Sequence, residues 1–235
     1  MWLVKGSSVP RKDRYHHGDL RNALLETALR LVSERGPEGF SLREAARAVG
    51  VSPGAAYRHF ADKAALLGAL SLDGHAGLAA AMERALARAA GTPGSASHAV
   101  ASFLAIGSAY VEFAMAHPSQ FRVMFGPCKP SKDDLACLAA QGRDTYRILV
   151  DVLDGLVTGG VIRAEARPGA ELPAWSVVHG LASLLVDGAL TLSSREREDA
   201  LQHAARLLLL GLGCPPAYVP PAQPVMTDPR PPVKR

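Results

Sequence analysis

Arg43 and Arg47 stand four residues apart in the segment Ser41 to Phe60, SLREAARAVGVSPGAAYRHF. On one helix they form a like-charge pair, mildly unfavourable alone and relieved when a phosphate lies alongside. The chemistry this suggests is anion recognition. Trp175 and His179, also at i, i+4, put a large apolar surface and a titratable group on a shared helix face. No acid or nucleophile stands at a recognisable catalytic spacing from His179, which reads as a hydrogen-bonded interface histidine or as a ligand contact and not as an enzyme's group. The cysteines, Cys128, Cys137 and Cys214, show no C-x-x-C spacing and no paired histidines that would complete a metal set. They are expected as reduced, partly buried thiols, with a second reading of Cys128, beside Lys129, as a redox or electrophile sensor. Neither a cofactor nor a metal is expected.

The elements that must position the arginines are legible around them. Ser41 with Glu44 three residues later is a capping box that starts a helix. Leu42, Ala45, Ala46 and Val49 then form an apolar stripe, while Arg43, Glu44 and Arg47 point elsewhere. Gly50 ends the helix where a positive φ costs least. Ser52 and Pro53 start the next one, as N-cap and first-turn residue. The small residues Ala46, Gly50 and Ala56 are spaced to let the two helices cross closely, the arrangement of a helix-turn-helix that lays its second helix in DNA. A plain αα-hairpin carrying the same caps is the alternative.

Residues 15 to 70 resemble the DNA-binding domain of the TetR family of bacterial transcriptional regulators. The pieces that carry the resemblance are YHHGDLRNALLETALRLVSERG and FSLREAARAVGVSPGAAYRHFADKAALLGAL, including the ending Tyr57, His59, Phe60 and the following Asp62-Lys63. The resemblance implies DNA contacts from Ser41 and Arg43 in the first motif helix, from Ser52, Gly54, Ala55, Tyr57 and His59 in the second, and from Lys63 just beyond. Hydroxyls, helix-start amides, Tyr57, His59 and Lys63 suit phosphates, which fix register; Lys63 also reads as a solvated surface charge. Pro53, Gly54 and Ala55 offer almost no side-chain hydrogen bonds, so base readout is expected to be thin apart from an Ala55 contact to a thymine methyl. Arg43 and Arg58 are then the candidates for base or groove contacts, with DNA shape supplying the rest.

Charge is distributed accordingly. The net charge is +4; residues 1 to 70 hold 11 Lys and Arg against 7 Asp and Glu, and the remainder holds 15 of each. All the excess sits with the motif, as expected if that segment meets a polyanion. The first 14 residues form a basic arm with Lys5, Arg11, Lys12 and Arg14, read either as a phosphate-ordered segment or as a solvated tail. Their three-residue apolar patch before Lys5 is too short for a signal-peptide core, and no uncharged apolar run reaches about 18 residues. A cytoplasmic, nucleoid-associated protein without a membrane partner is expected.

The fold class expected is all-α, with a three-helix helix-turn-helix domain over 15–70, a helical domain over 71–213 and a proline-rich tail over 214–235. The pattern predicts helices from Asp19 to about Glu34, from Asp62 almost to Ala90, and over about 98–116, 119–125, 132–158, 172–192 and 194–211. Gly68, Gly74 and Gly77 in the long helix read as close-packing sites or as bends, with packing preferred. GTPGSAS at 91–97 is a linker by composition, and the tail beyond Cys214, with 8 of the 17 prolines, should be extended and unpacked.

The segments AWSVVHGLASLLVDGAL from Ala174 and AHPSQFRVMFG at 116–126 resemble the TetR C-terminal subgroup named for its Trp-His-Gly motif, here Trp175, His179 and Gly180. The resemblance implies a homodimer formed through the last two helices, a small-molecule effector bound in this domain, and a change in the separation of the DNA-reading heads on binding. Besides Trp175 and His179, the large residues available to line a cavity are Phe103, Tyr110, Phe113, Phe121, Met124, Phe125 and Tyr146; each has the alternative of being core. The last helix has Leu201, Ala204, Ala205 and Leu208 at helical spacing and is apolar all round from Leu207 to Leu210, which predicts a twofold partner covering it.

Overall fold

The computed structural model describes residues 20–126, 144–219 and 221, all helix, turn or loop, with no strand among them. The chain is an all-α protein that divides after Leu66 into two compact units.

The first unit is built on α1 (Leu20–Arg35), α2 (Leu42–Val49) and α3 (Pro53–Tyr57), with α4 (Lys63–Leu86) starting at its end. Leu20, Leu24, Ala28 and Leu31 of α1 are buried together with Phe40, Leu42, Ala45, Ala46, Ala56 and Phe60. Each fully buried leucine or phenylalanine stabilises by about 1.5–3 kcal/mol, so this stripe is what holds three short helices that would not persist alone. Ala46 and Ala56 are completely buried where α2 and α3 pack, so larger side chains there would separate the helices. Gly50 differs from them: a Cβ there would meet nothing within 4 Å, and its φ of 85° is the reason for glycine, not helix spacing.

The second unit contains most of α4 and α5 (Ala96–Ala116), α6 (Pro118–Phe125), α7 (Thr145–Thr158), α8 (Glu171–Val186) and α9 (Ser194–Gly211), with single 3₁₀ turns at Ala164–Ala166 and Pro216–Tyr218. α5 is its axis, packing against α6, α7, α8, α9 and the last 3₁₀ turn. It is apolar on most sides because it is covered on most sides. By length and composition α4 and α5 would each suffice to cross a membrane, although half or more of that apolar stretch is buried within the protein.

α4 runs unbroken through all three glycines. A Cβ on Gly74 would come 2.6 Å from Met124, and one on Gly77 would come 3.2 Å from Phe113, so these two are packing sites; one on Gly68 would meet nothing within 4 Å. α8 stops at Val186, six residues short of the expected end, because Gly188 at φ 72° turns the chain back and the Leu190 amide bonds the Leu184 carbonyl. The start of the tail is packed where an unpacked end was expected: Cys214 and Val219 are buried in the main core, since two apolar side chains flanking a proline turn reach α5. Burial also pushes the Cys214 thiol up, as for an inert core cysteine. The basic arm, Cys128, Cys137 and the first part of the 132–158 helix lie outside the described residues.

Candidate nucleic-acid interface and apolar cavity

α2 is closed at both ends by its own sequence. The Ser41 hydroxyl accepts from the Glu44 amide at 3.2 Å, and the Glu44 carboxylate accepts from the Ser41 amide at 2.8 Å. That backbone bond, followed by the Arg35 guanidinium at 3.2 Å, holds the Glu44 carboxyl below the usual range. At the other end the Gly50 amide caps the Ala46 and Arg47 carbonyls, and after the turn the Ser52 hydroxyl accepts from the Ala55 amide at 3.3 Å. The result presents Arg43, Arg47, Ser52, Gly54, Tyr57, Arg58 and His59 to solvent.

Charge pairing separates these cations from the rest of the unit. Arg30 pairs with Glu34, Arg35 with Glu44, and Arg21 lies over the Phe60 ring. Lys63 is also engaged: its Nζ is 3.4 Å from both the Glu38 carbonyl and carboxylate, and it lies over the Phe40 ring. Arg43, Arg47 and Arg58 have no ion pair or hydrogen bond with any described residue. Three exposed guanidinium groups without carboxylates on a helix-turn-helix are suited to phosphates and base edges.

The second unit holds a partly open cavity of about 310 Å³, with the exposed Tyr146, Leu172 and Trp175 on its wall. Its walls come from α4 (His75, Met82), α5 (Phe103, Leu104, Ile106, Gly107, Tyr110), α6 (Phe125), α7 (Thr145, Tyr146, Leu149), α8 (Glu171, Leu172, Ala174, Trp175, Val177, Val178) and α9 (Leu201, Ala205, Leu208). Few polar groups reach it. Burial lowers the pKa of His75, favouring the neutral ring, and raises that of the Tyr110 hydroxyl. Glu171 is held below the usual carboxylate range by its bond to Arg167, at 2.8 Å; Arg167 is also 2.8 Å from Asp154.

Two domain models match this chain. Residues 24–70 match the bacterial regulatory proteins of the tetR family, and residues 103–208 match the tetracyclin repressor-like C-terminal domain. The chain belongs to the TetR family. It is therefore a transcriptional regulator with a DNA-binding helix-turn-helix, and not an enzyme. Over 58 residues this TetR-family chain is 43% identical to the HTH-type transcriptional regulator AcrR of Shigella flexneri, an alignment that spans 25% of this chain and 27% of that regulator. Among solved structures, a protein of unknown function from Rhodococcus sp. RHA1 is 32% identical, with 86% of this chain and 99% of that one covered and a TM-score of 0.69. The TetR family transcriptional regulator PfmR of Thermus thermophilus is 26% identical, with 80% and 98% covered and a TM-score of 0.60.

Within this TetR-family fold several expected site residues lie elsewhere than expected. Ala55 faces inward, 8% exposed, so its methyl belongs to the core between the motif helices and is not presented to a thymine. The Ser41 hydroxyl caps its own helix, 3.1 Å from the Glu44 carboxylate, and remains exposed. Phe103, Tyr110, Phe125, Tyr146 and Trp175 line the cavity, but Phe113, Phe121, Met124 and His179 do not. Phe113 and Met124 fill the space that Gly77 and Gly74 leave. His179 and Phe121 border a separate cleft with Arg122, Ser183 and Asp187. There the imidazole sits among the rings of Phe121, Phe125, Trp175 and Tyr110, and desolvation lowers its pKa. The cavity residues that sequence reasoning missed, His75 and Glu171 above all, had only their polarity within apolar helical stretches as a signal.

Proposed function

We propose that this regulator is a repressor that binds a palindromic operator as a homodimer and releases it when a small molecule occupies the cavity of the second unit. The reading rests on the pairing of three uncompensated arginines in one unit with an apolar cavity in the other. Arg43 and Arg58 are the base-reading candidates; Arg47, Ser52, Tyr57, His59 and the backbone at Gly54 hold phosphates, and Lys63 joins them by exchanging Glu38 for a phosphate. α4 carries both Lys63 and the cavity-wall residues His75 and Met82, which supports coupling of the two functions.

Leu184 on α8 and Leu207 and Leu210 on α9 are exposed, while Leu201, Ala205 and Leu209 face inward. This uncovered apolar edge favours a twofold partner through the last two helices, in line with the Trp-His-Gly resemblance of Trp175, His179 and Gly180. Half-sites would then lie roughly 34–36 Å apart. The setting is cytoplasmic, on the nucleoid. A DNA-architectural role without an effector is the alternative, and the cavity favours the effector reading over it. Selection of genomic fragments by the purified protein should return a palindromic site; recovery of random sequence would sink the operator reading. A chain that sediments as a monomer at micromolar concentration would sink the dimer.

A further inference from the structure

The cavity's size, its charges and one side chain together limit what it can hold. About 310 Å³ is at the low end for small-molecule sites, room for one or two rings. Among the described residues, the ionised group on the wall is Glu171, and its charge is committed to Arg167 at 2.8 Å. Arg167 is shared with Asp154, so no cation is left over to receive an anionic ligand. A charged ligand would lose its hydration: an anion finds no uncommitted cation among these groups, and the carboxylate that acts on His75, Asp144, is engaged as the N-cap of α7, accepting from the Tyr146 amide.

The wall's polar groups divide the same way. The Tyr110 hydroxyl is occupied by His179 at 2.9 Å. His75, by contrast, has its ring edge-on to Phe125 and no hydrogen-bond partner among the described residues. A neutral imidazole offers one donor and one acceptor nitrogen.

Building on the effector reading above, we propose that the cavity takes a neutral, mainly apolar molecule of one or two rings whose single hydroxyl or carbonyl hydrogen-bonds to His75. The probes are 4-phenylphenol, biphenyl-4-carboxylate and biphenyl-4-methylammonium, titrated calorimetrically into the full chain near neutral pH, where their charges differ but their shapes do not. The phenol binds at least about tenfold more tightly than either charged analogue. His75→Phe weakens the phenol by about five- to tenfold, and His75→Gln, which keeps a donor and an acceptor, restores most of it. Leu104→Trp, which fills the cavity, abolishes binding; a cooperative melt of each variant shows that it is folded.

Equal or tighter binding of a charged probe, no binding of the phenol, or an unchanged phenol affinity in folded His75→Phe overturns the proposal. Operator anisotropy in the same samples separates it from the reading beneath it. A phenol that binds with the expected preference but leaves operator affinity unchanged upholds the ligand class and sinks the effector role. A charged probe that binds more tightly and releases the operator does the reverse.

Discussion

The Tyr110 hydroxyl lies 2.9 Å from Nδ1 of His179, tying the middle of α5 to the middle of α8 inside a nest of aromatic rings. Tyr110→Phe keeps the ring and removes the bond, leaving a half-buried nitrogen without its partner. The expected loss is about 1 kcal/mol in urea unfolding, with the helical content of the folded protein unchanged.

Desolvation lowers the pKa of both His75 and His179 below the usual 6.5. Below that value the unfolded chain takes up protons that the folded chain refuses, so acid favours unfolding. The stability held by the two neutral rings is complete above the unfolded value and is lost as the pH falls through it toward the folded values. Urea midpoints measured above and below 6.5 should show this fall, and the double variant His75→Gln, His179→Gln should flatten it. An unchanged pH slope in that variant would assign the effect to other groups.

Arg43 is exposed on α2 and has no partner in the described structure. Arg43→Ala is expected to cost about 1–3 kcal/mol on the cognate operator and less on random DNA, as for a base-reading side chain. Equal losses on both, with the salt slope reduced by about one, would make it a phosphate anchor.

Two glycines of the motif separate folding from binding. Gly50 holds φ 85°, so Gly50→Ala should destabilise the head by about 1 kcal/mol or more. Gly54 has no positive φ and no neighbour within 4 Å of a Cβ, so alanine there should leave stability unchanged or raise it by up to about 1 kcal/mol. If the α3 backbone is pressed against DNA, the same Gly54→Ala protein loses operator affinity in anisotropy, and retained affinity would remove Gly54 from the interface.

On α4 the contrast is steric. Gly74→Ala brings a Cβ to 2.6 Å from Met124, and the flexible thioether must shift, at a cost of about 1–3 kcal/mol. Gly68→Ala meets open space and should stabilise by up to about 1 kcal/mol. Chemical denaturation of the two single variants decides it, and equal effects would mean that the helix, not the contact with Met124, sets both.

What the sequence determined by itself was the set of structures closed within four residues. The Ser41–Glu44 capping box, the Ser52 cap and the left-handed Gly50 were legible because each partner is a near neighbour in the chain. The order of residues around Arg43 and Arg58 likewise marked the DNA-binding head. Tertiary structure alone decided which way Ala55 turned, that His179 bonds Tyr110 beside the cavity while His75 lines it, that Met124 fills the space beside Gly74, and that Val219 is buried. Most of these outcomes depend on apolar surfaces brought together from positions far apart in the chain. A helical stripe tells which face will be buried but not which distant helix will cover it, because burial is non-directional and many coverings satisfy the same pattern.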